Sequence, residues 1–192
     1  MASGIIHSLA ARAIFFPSLA YNIVMEKVSS RKWYNHIDEH VILGALPLRS
    51  MASELVNELR VKGIVSLNED YELRYLANNP SEWKELGVDN IHFQVTDIFE
   101  APSQQVLTEG VQFMDATVSN GGVVYVHCKA GRSRSATMVG CYLMKKYKWT
   151  PDEAISHMKS KRPHILLDSL KMEALETFYR NQVASLGETS TT

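Results

Sequence analysis

Apolar and polar positions along the chain alternate between short strand-like runs and longer helical repeats. Apolar runs predict strands at 41–46, 63–67 and 123–126, and an alternating run predicts another at 91–95. Periodicity and capping signals predict helices at 51–61, which Ser50 can cap, and at 80–86, 106–118, 136–144, 151–160 and 169–183. Strands that alternate with helices predict an α/β fold with a mostly parallel central sheet flanked by helices.

Composition limits the organisation of the chain and its partners. The 192 residues suit one domain at 33–183, an N-terminal segment at 1–32 and a flexible tail at 184–192. A net charge of −1 gives no general attraction for nucleic acid, so any anion must be attracted locally. The two cysteines do not form a disulfide framework, and Cys141 is expected in the core. We expect a monomer.

The N-terminal segment has its own pattern. The first acidic residue is Glu26, and apolar side chains share one helical face, namely Ile5, Ile6, Leu9, Ala13, Phe16, Ala20, Ile23 and Val24. An acid-free amphipathic start is typical of a mitochondrial transit segment, although Arg12 is the only basic residue before Lys27. The apolar run is too short to span a bilayer, and Pro17 interrupts it. The alternatives are a helix on a membrane surface and an ordinary core helix.

The run from His127 to Ser135 carries the most specific chemistry in the chain. A predicted buried strand ends at Cys128, a short loop follows, and Arg134 comes six residues after the cysteine. Loop N–H groups beside a helix N-terminus bind anions, and Arg134 can hold two phosphate oxygens. The phosphate-binding residues predicted here are Lys129, Ala130, Gly131, Arg132, Ser133 and Arg134. The same positive surroundings favour a Cys128 thiolate that attacks phosphorus.

The sequence His127-Cys128-x5-Arg134-Ser135 resembles the signature of cysteine-dependent phosphatases of the dual-specificity type. Further matches at 33–38, 41–50 and 68–72 resemble a mitochondrial branch of that family that acts on phosphatidylglycerophosphate. The resemblance covers about Trp33 to Tyr179. It implies a dual-specificity phosphatase-like fold and a phosphocysteine intermediate, without a cofactor or metal. It also implies a location at the matrix side of the mitochondrial inner membrane.

The leaving oxygen needs a proton donor on a loop near the phosphate. Asp97 is our candidate because it follows a predicted strand at the edge where the loops converge, and the family has its general acid at the matching place. The competing carboxylates are Glu100, Glu69 and Asp70. The resemblance also implies that Ser135 donates a hydrogen bond to the Cys128 sulfur; a first-turn helix serine without that role is the alternative. His127 is expected to orient the loop.

Basic residues in the loop bear on the substrate. Lys129 and Arg132 favour a polyanionic ligand such as a phospholipid that carries a monoester beside a diester, unless they are simply solvated. The resemblance also places Glu69, Asp70, Tyr71 and Glu72 at the substrate pocket, where their carboxylates could accept hydrogen bonds from glycerol hydroxyls. The run 162–168 departs from the family pattern and leaves open whether Arg162 or His164 touches substrate.

The leading hypothesis is a phosphatase that converts phosphatidylglycerophosphate into phosphatidylglycerol at a membrane surface. Alternative hypotheses are a phosphatase of phosphotyrosine and phosphoserine or phosphothreonine in proteins, and a phosphoinositide phosphatase. A phosphate-binding module without activity would usually lack Cys128, Arg134 or Asp97, and all three are present. A rhodanese-like sulfurtransferase is disfavoured by Arg134 and Ser135.

Overall fold

A five-stranded sheet forms the centre of the protein. The computed structural model describes residues 2–97 and 99–186, with side chains at 12–97 and 99–185. The strands are β1 (Tyr34–His36), β2 (Val41–Gly44), β3 (Val61–Ser66), β4 (Asp89–His92) and β5 (Val123–His127). Their order is β1-β2-β5-β3-β4, and every pairing is parallel except that of the edge strand β1 with β2. The predicted mostly parallel sheet is therefore confirmed.

Helices cover both faces of the sheet. They are α1 (Ala2–Val28), α2 (Asp70–Leu73), α3 (Pro80–Glu85), α4 (Gln104–Ser119), α5 (Arg134–Tyr147), α6 (Pro151–Lys161) and α7 (Ser169–Gln182). The largest core cluster joins one sheet face to α4, α5, α6 and α7. A smaller cluster on the opposite face includes Tyr125 and Trp83. Capping boxes start α3 at Asn79 and α6 at Thr150, as their sequences predict.

The prediction of one α-helix at 51–61 is wrong. A 3-10 turn at Arg49–Met51 and a π-helical turn at Glu54–Glu58 replace it, and Ser50 is not its cap. The segment ends early because Arg60 takes a left-handed conformation (φ 55°) and Val61 already pairs with Val123 in the sheet. At the C-terminus, a 3-10 turn at Ala184–Leu186 occupies part of the predicted tail, whose residues 187–192 lie outside the described part of the chain.

Helix α1 folds back onto the domain formed by the sheet and the later helices. Phe15 and Leu19 are buried against Trp33, Ala45 and Leu46. The helix continues through Pro17, which the sequence predicts as an interruption, because side chains on either side of the proline are anchored in this cluster. Within the described residues, no helix is both long and apolar enough to cross a bilayer.

The outward side of α1 is apolar as well. Phe16 and Val24, which belong to the face predicted as apolar from the sequence, are 59% and 53% exposed. Ile14, Tyr21 and Val28 are also exposed. Of the predicted apolar face, Ala13, Phe16, Ala20 and Val24 are exposed and Ile23 packs on the cluster, whereas the side chains of Ile5, Ile6 and Leu9 lie outside the described part. Phe15 and Leu19 attach the helix to the domain.

Candidate active site

The catalytic cysteine candidate lies at the centre of the sheet. Strand β5 pairs with β2 on one side and with β3 on the other, and its buried apolar side chains lead directly to Cys128. The loop that follows reaches α5 at Arg134, as predicted. Cys128 therefore stands at the carboxyl edge of the sheet and beside a helix N-terminus, where anion binding is favoured.

The loop from Lys129 to Ser133 has all five of its carbonyl groups turned to partners outside it. The N–H groups of Leu46 and Leu166 bind the carbonyls of Lys129 and Arg132, at 3.3 and 2.9 Å. Arg162 binds those of Ala130 and Gly131, and Thr137 N–H binds that of Ser133. The N–H groups of residues 130–133 donate to no other group in the described part of the chain. These N–H groups are therefore available to an anion, as the predicted cradle requires.

Close packing fixes the position of this loop. Gly131 adopts a positive φ of 63°, and a Cβ atom there would overlap the carbonyl of Gly44. Below them, the Tyr125 hydroxyl donates to the Ala45 carbonyl at 2.8 Å. A Cβ atom on Gly44 would in turn overlap the Tyr125 ring and hydroxyl. The two backbone segments touch because both positions lack a side chain.

The thiol of Cys128 is prepared for ionisation. Burial opposes its ionisation, but the Arg134 guanidinium and hydrogen bonds from Ser135 outweigh burial and lower the thiol pKa below its ordinary value. The Ser135 hydroxyl lies 3.2 Å from the sulfur and donates to it. By contrast, burial alone raises the pKa of the Cys141 thiol, which lies in the core as predicted.

Arg134 is fully buried, and a two-pronged pair of hydrogen bonds to Glu72 holds its guanidinium. Its two terminal nitrogens donate to the two carboxylate oxygens of Glu72, at 2.8 and 3.1 Å, and one of them also binds the carbonyls of Leu67 and Val95. Its Nε is buried and has no partner among the described residues. The guanidinium is therefore aimed by the protein while one donor is left for a ligand.

Asp97 is the acidic side chain that joins the loop cations. Its carboxylate contacts Lys129 Nζ and lies 3.1 Å from the second terminal nitrogen of Arg134. The competing carboxylates are engaged elsewhere: Glu100 accepts from the Thr96 N–H, and Asp70 accepts from Gln94. Among the candidates, Asp97 is best placed to act as the general acid.

The four residues at 69–72 have different partners in the structure. Glu72 is completely buried on Arg134, so it is not free to bind substrate hydroxyls, contrary to the expectation from sequence. Glu69 takes part in the capping box of α2, and Asp70 is exposed. Tyr71 packs edge-to-face on Phe15 of α1, with ring centroids 5.6 Å apart.

Two basic residues are used to hold the loop. Arg162 is 1% exposed, and besides its two loop carbonyls it binds Lys32, Trp33 and Asn35. Its guanidinium is occupied by the protein, so the structure gives it a positioning role. The Nε of Arg132 donates to the carbonyl of His164 at 2.9 Å. Sequence reasoning missed these roles because the partners of Arg162 lie 31 and about 130 residues away along the chain.

His127 is a neutral, buried side chain. Desolvation by burial lowers its pKa from 6.5 to about 3. It therefore carries no charge at neutral pH, in accord with a part in orienting the loop.

The model of the family described as "Dual specificity phosphatase, catalytic domain" matches residues 49–181. The chain belongs to the dual specificity phosphatase family. Members of this family hydrolyse phosphoric monoesters with a cysteine nucleophile, and this protein is such a hydrolase. The predicted phosphatase fold is confirmed.

Several relatives of this phosphatase are named for a lipid substrate. It is 41% identical to the human phosphatidylglycerophosphatase and protein-tyrosine phosphatase 1, over 95% of this chain and 92% of that protein. It is 38% identical to the phosphatidylglycerophosphate phosphatase PTPMT1 of Arabidopsis thaliana, over 91% of this chain and 51% of that protein. The crystal structure described as PTPMT1 in complex with PI(5)P superposes with a TM-score of 0.79 at 42% identity, covering 81% of this phosphatase and 99% of that chain.

Proposed function

We propose that this phosphatase removes the terminal phosphate of phosphatidylglycerophosphate to give phosphatidylglycerol. The observation that carries the proposal is a cysteine thiol of lowered pKa in a phosphate cradle that faces two further cations, Arg134 and Lys129. Glu72 and Asp97 balance these two charges in the free site, and both cations become available to phosphate oxygens when Asp97 carries a proton. The names of the human and plant relatives support this lipid in particular.

The reaction proceeds in two displacements. The Cys128 thiolate attacks phosphorus, an S–P bond forms, and the P–O bond to glycerol breaks while Asp97 gives its proton to the departing oxygen. Arg134 Nε and the loop N–H groups hold the phosphoryl oxygens. In the free site the Asp97 carboxylate faces Lys129 and Arg134, and the bound phosphate competes with it for these cations. For the first displacement Asp97 carries a proton taken from solvent.

Water completes the cycle. It attacks phosphorus, Asp97 accepts its proton, and the S–P bond breaks. The Ser135 hydroxyl, 3.2 Å from the sulfur, stabilises the returning thiolate. Neither displacement changes an oxidation state, and the proton that Asp97 gives to the leaving oxygen in the first step is returned to it by the attacking water in the second.

The exposed face of α1 supports work at a membrane surface. Phe16, Tyr21, Val24 and Val28 form an apolar strip on the side of the helix that is turned away from the domain. Apolar side chains on an interfacial helix bury themselves at the headgroup boundary. The acid-free sequence before Glu26 supports a mitochondrial location, and we propose the matrix side of the inner membrane, with the enzyme working as a monomer.

A phosphoinositide monoester is the second candidate substrate, because a solved relative at 42% identity is described in complex with PI(5)P. Its headgroup also combines a phosphomonoester with a phosphodiester. The cations of the loop favour both lipids over a peptide that carries one phosphate.

The test is phosphate release, without added metal, from phosphatidylglycerophosphate, PI(5)P and a phosphotyrosine peptide under identical mixed-micelle conditions. We expect the highest kcat/KM on phosphatidylglycerophosphate, its abolition by Cys128→Ser, and its reduction by about 100-fold or more in Asp97→Ala. Cys141→Ala is the matched control for loss of a thiol. Faster turnover of the peptide would replace the lipid assignment with a protein substrate.

A further inference from the structure

A cavity separate from the cradle at Cys128 lies beneath α1, on the face of the sheet opposite α4 and α5. Its volume is about 630 Å³. One part of its lining is apolar and includes Ile64, Leu73 and Trp83. Another part is polar, and its members include Arg12, Ser66, Tyr71 and Arg74. A cavity with an apolar wall and a few convergent polar groups is typical of a small-molecule site.

The guanidinium groups of two arginines at this cavity lie over aromatic rings. The guanidinium of Arg12 lies 5.0 Å from the centre of the Tyr71 ring, and that of Arg74 lies 5.4 Å from the centre of the Tyr75 ring. Neither guanidinium group forms an ion pair or a hydrogen bond with a described residue of the chain. A stacked guanidinium keeps its edge N–H donors available, and these match the oxygens of a phosphate.

Buried polar groups around the same cavity lack partners. Ser66 is 5% exposed, and its hydroxyl has no hydrogen-bond partner among the described residues. The Tyr71 hydroxyl is likewise buried without a partner in that part of the chain. Unpartnered buried hydroxyls are costly and uncommon, so they indicate a ligand that brings its own polar atoms. The one carboxylate of the lining, Asp70, is already engaged by Gln94 and His92.

The cavity adjoins the catalytic loop. Tyr71 precedes Glu72, which holds Arg134. Phe15 lies between the two sites, because its ring packs on Tyr71 and its centre is 6.0 Å from Lys129 Nζ. The buried ring of Phe15 is thus the layer that separates the cradle at Cys128 from the cavity at Arg12.

We propose that this cavity binds the second anionic group of the lipid, its phosphodiester with the adjoining glycerol, while the cradle holds the monoester. The proposal rests on the function proposed above. Arg12 and Arg74 take the diester oxygens, and the hydroxyls of Ser66 and Tyr71 pair with polar atoms of the headgroup. Since Arg12 belongs to α1, the site is complete only when that helix is retained and docked. Cleavage of the chain between Arg12 and Trp33 would remove this arginine from the site.

The kinetic test compares Arg12→Ala and Arg74→Ala with Arg31→Ala. Arg31 is a matched control, because it also stacks on a tyrosine (Tyr21, at 5.8 Å) but lies outside the cavity. The substrates are phosphatidylglycerophosphate and phosphatidic acid, a monoester lipid without a diester. We expect each cavity variant to raise KM for phosphatidylglycerophosphate on the order of tenfold more than for phosphatidic acid, with a smaller change in kcat. Equal losses on both lipids, or equal losses in Arg31→Ala, would overturn the proposal.

A binding test separates this inference from the function on which it rests. Cys128→Ser protein is titrated with short-chain phosphatidylglycerol below its micelle concentration, and with soluble glycerophosphoglycerol. Both ligands carry a diester and glycerol but no monoester, and comparing them distinguishes a lipid source from a free polyol phosphate. We expect Arg12→Ala and Tyr71→Phe to weaken binding of the lipid. If neither variant changes the affinity for either ligand, the cavity is not this site, whatever the enzyme hydrolyses.

Discussion

Glu72 grips Arg134 with both carboxylate oxygens, and neither side chain is exposed to solvent. The pair fixes the plane in which the guanidinium can meet a phosphate. Because each charge is buried, removing one leaves the other without compensation in a medium of low dielectric constant. The orientation of the phosphate-binding arginine is thus a property of α2 as much as of the catalytic loop.

Glu72→Gln should therefore lower both stability and activity. We expect a loss of about 3 kcal/mol in the free energy of unfolding and a fall of at least about tenfold in kcat/KM for a soluble aryl phosphate. Urea unfolding and steady-state kinetics measure the two effects. Glu85→Gln, on the exposed side of α3, is the control; equal effects from both substitutions would refute the argument.

Ser135→Ala should raise the pKa of the Cys128 thiol, because it removes the hydroxyl that donates to the sulfur and favours the thiolate, while the backbone N–H remains. The rate of alkylation by iodoacetamide as a function of pH reports the thiolate directly. In the wild type its midpoint should lie below the free-cysteine value of about 8.5, and the variant should move it upward.

Mass spectrometry should locate the label on Cys128, since burial raises the pKa of the Cys141 thiol. Ser160→Ala, an exposed serine on α6, serves as the control for this series. An unchanged midpoint in Ser135→Ala would show that the hydroxyl does not act on the sulfur.

Arg162→Lys should loosen the catalytic loop. The Arg162 guanidinium donates to five acceptors, and the ammonium group of lysine cannot replace it. The carbonyls of Ala130 and Gly131 therefore lose a donor. We expect inorganic phosphate to inhibit the variant on the order of tenfold more weakly, at a temperature where circular dichroism shows it folded. Arg180→Lys on α7 is the matched control. Unaltered phosphate inhibition with a lowered Tm would assign Arg162 to stability alone.

The buried imidazole of His127 should make the fold sensitive to acid. Burial lowers its pKa to about 3, whereas in the unfolded chain it takes up a proton near pH 6.5. Between these values unfolding binds a proton, so the free energy of unfolding falls as pH falls, by about 1.4 kcal/mol per pH unit. His127→Asn should flatten this dependence between pH 6 and 4 in chemical denaturation. The exposed residue His36, changed to Asn, is the comparison, and similar slopes in both variants would contradict the prediction.

Local sequence signals were sufficient for most of the scaffold and for the catalytic loop. The apolar run into Cys128, the glycine at 131 and the arginine at 134 act through neighbouring backbone, so their geometry follows from their spacing. Asp97 could be selected because carboxyl ends of parallel strands share an edge. The capping box at Asn79 likewise defined its helix start from four residues.

Long-range partners could not be predicted in the same way. Nothing near Glu72 in the sequence shows that its carboxylate meets an arginine 62 residues later. Likewise, the periodicity of α1 revealed an apolar face but not that Phe15 and Leu19, beside it, would attach the helix to the domain. Tertiary packing decided both outcomes, and propensity carries no information about it.

The contact among Gly44, Tyr125 and Gly131 has a consequence for how this enzyme can change over evolutionary time. A methyl group at Gly131 needs the backbone at Gly44 to withdraw, and a methyl group at Gly44 needs a smaller side chain at Tyr125. Loss of the Tyr125 hydroxyl in turn frees the Ala45 carbonyl that it binds. Single substitutions at Gly44 or Gly131 should therefore be destabilising, and we expect the three positions to change, if at all, as a set.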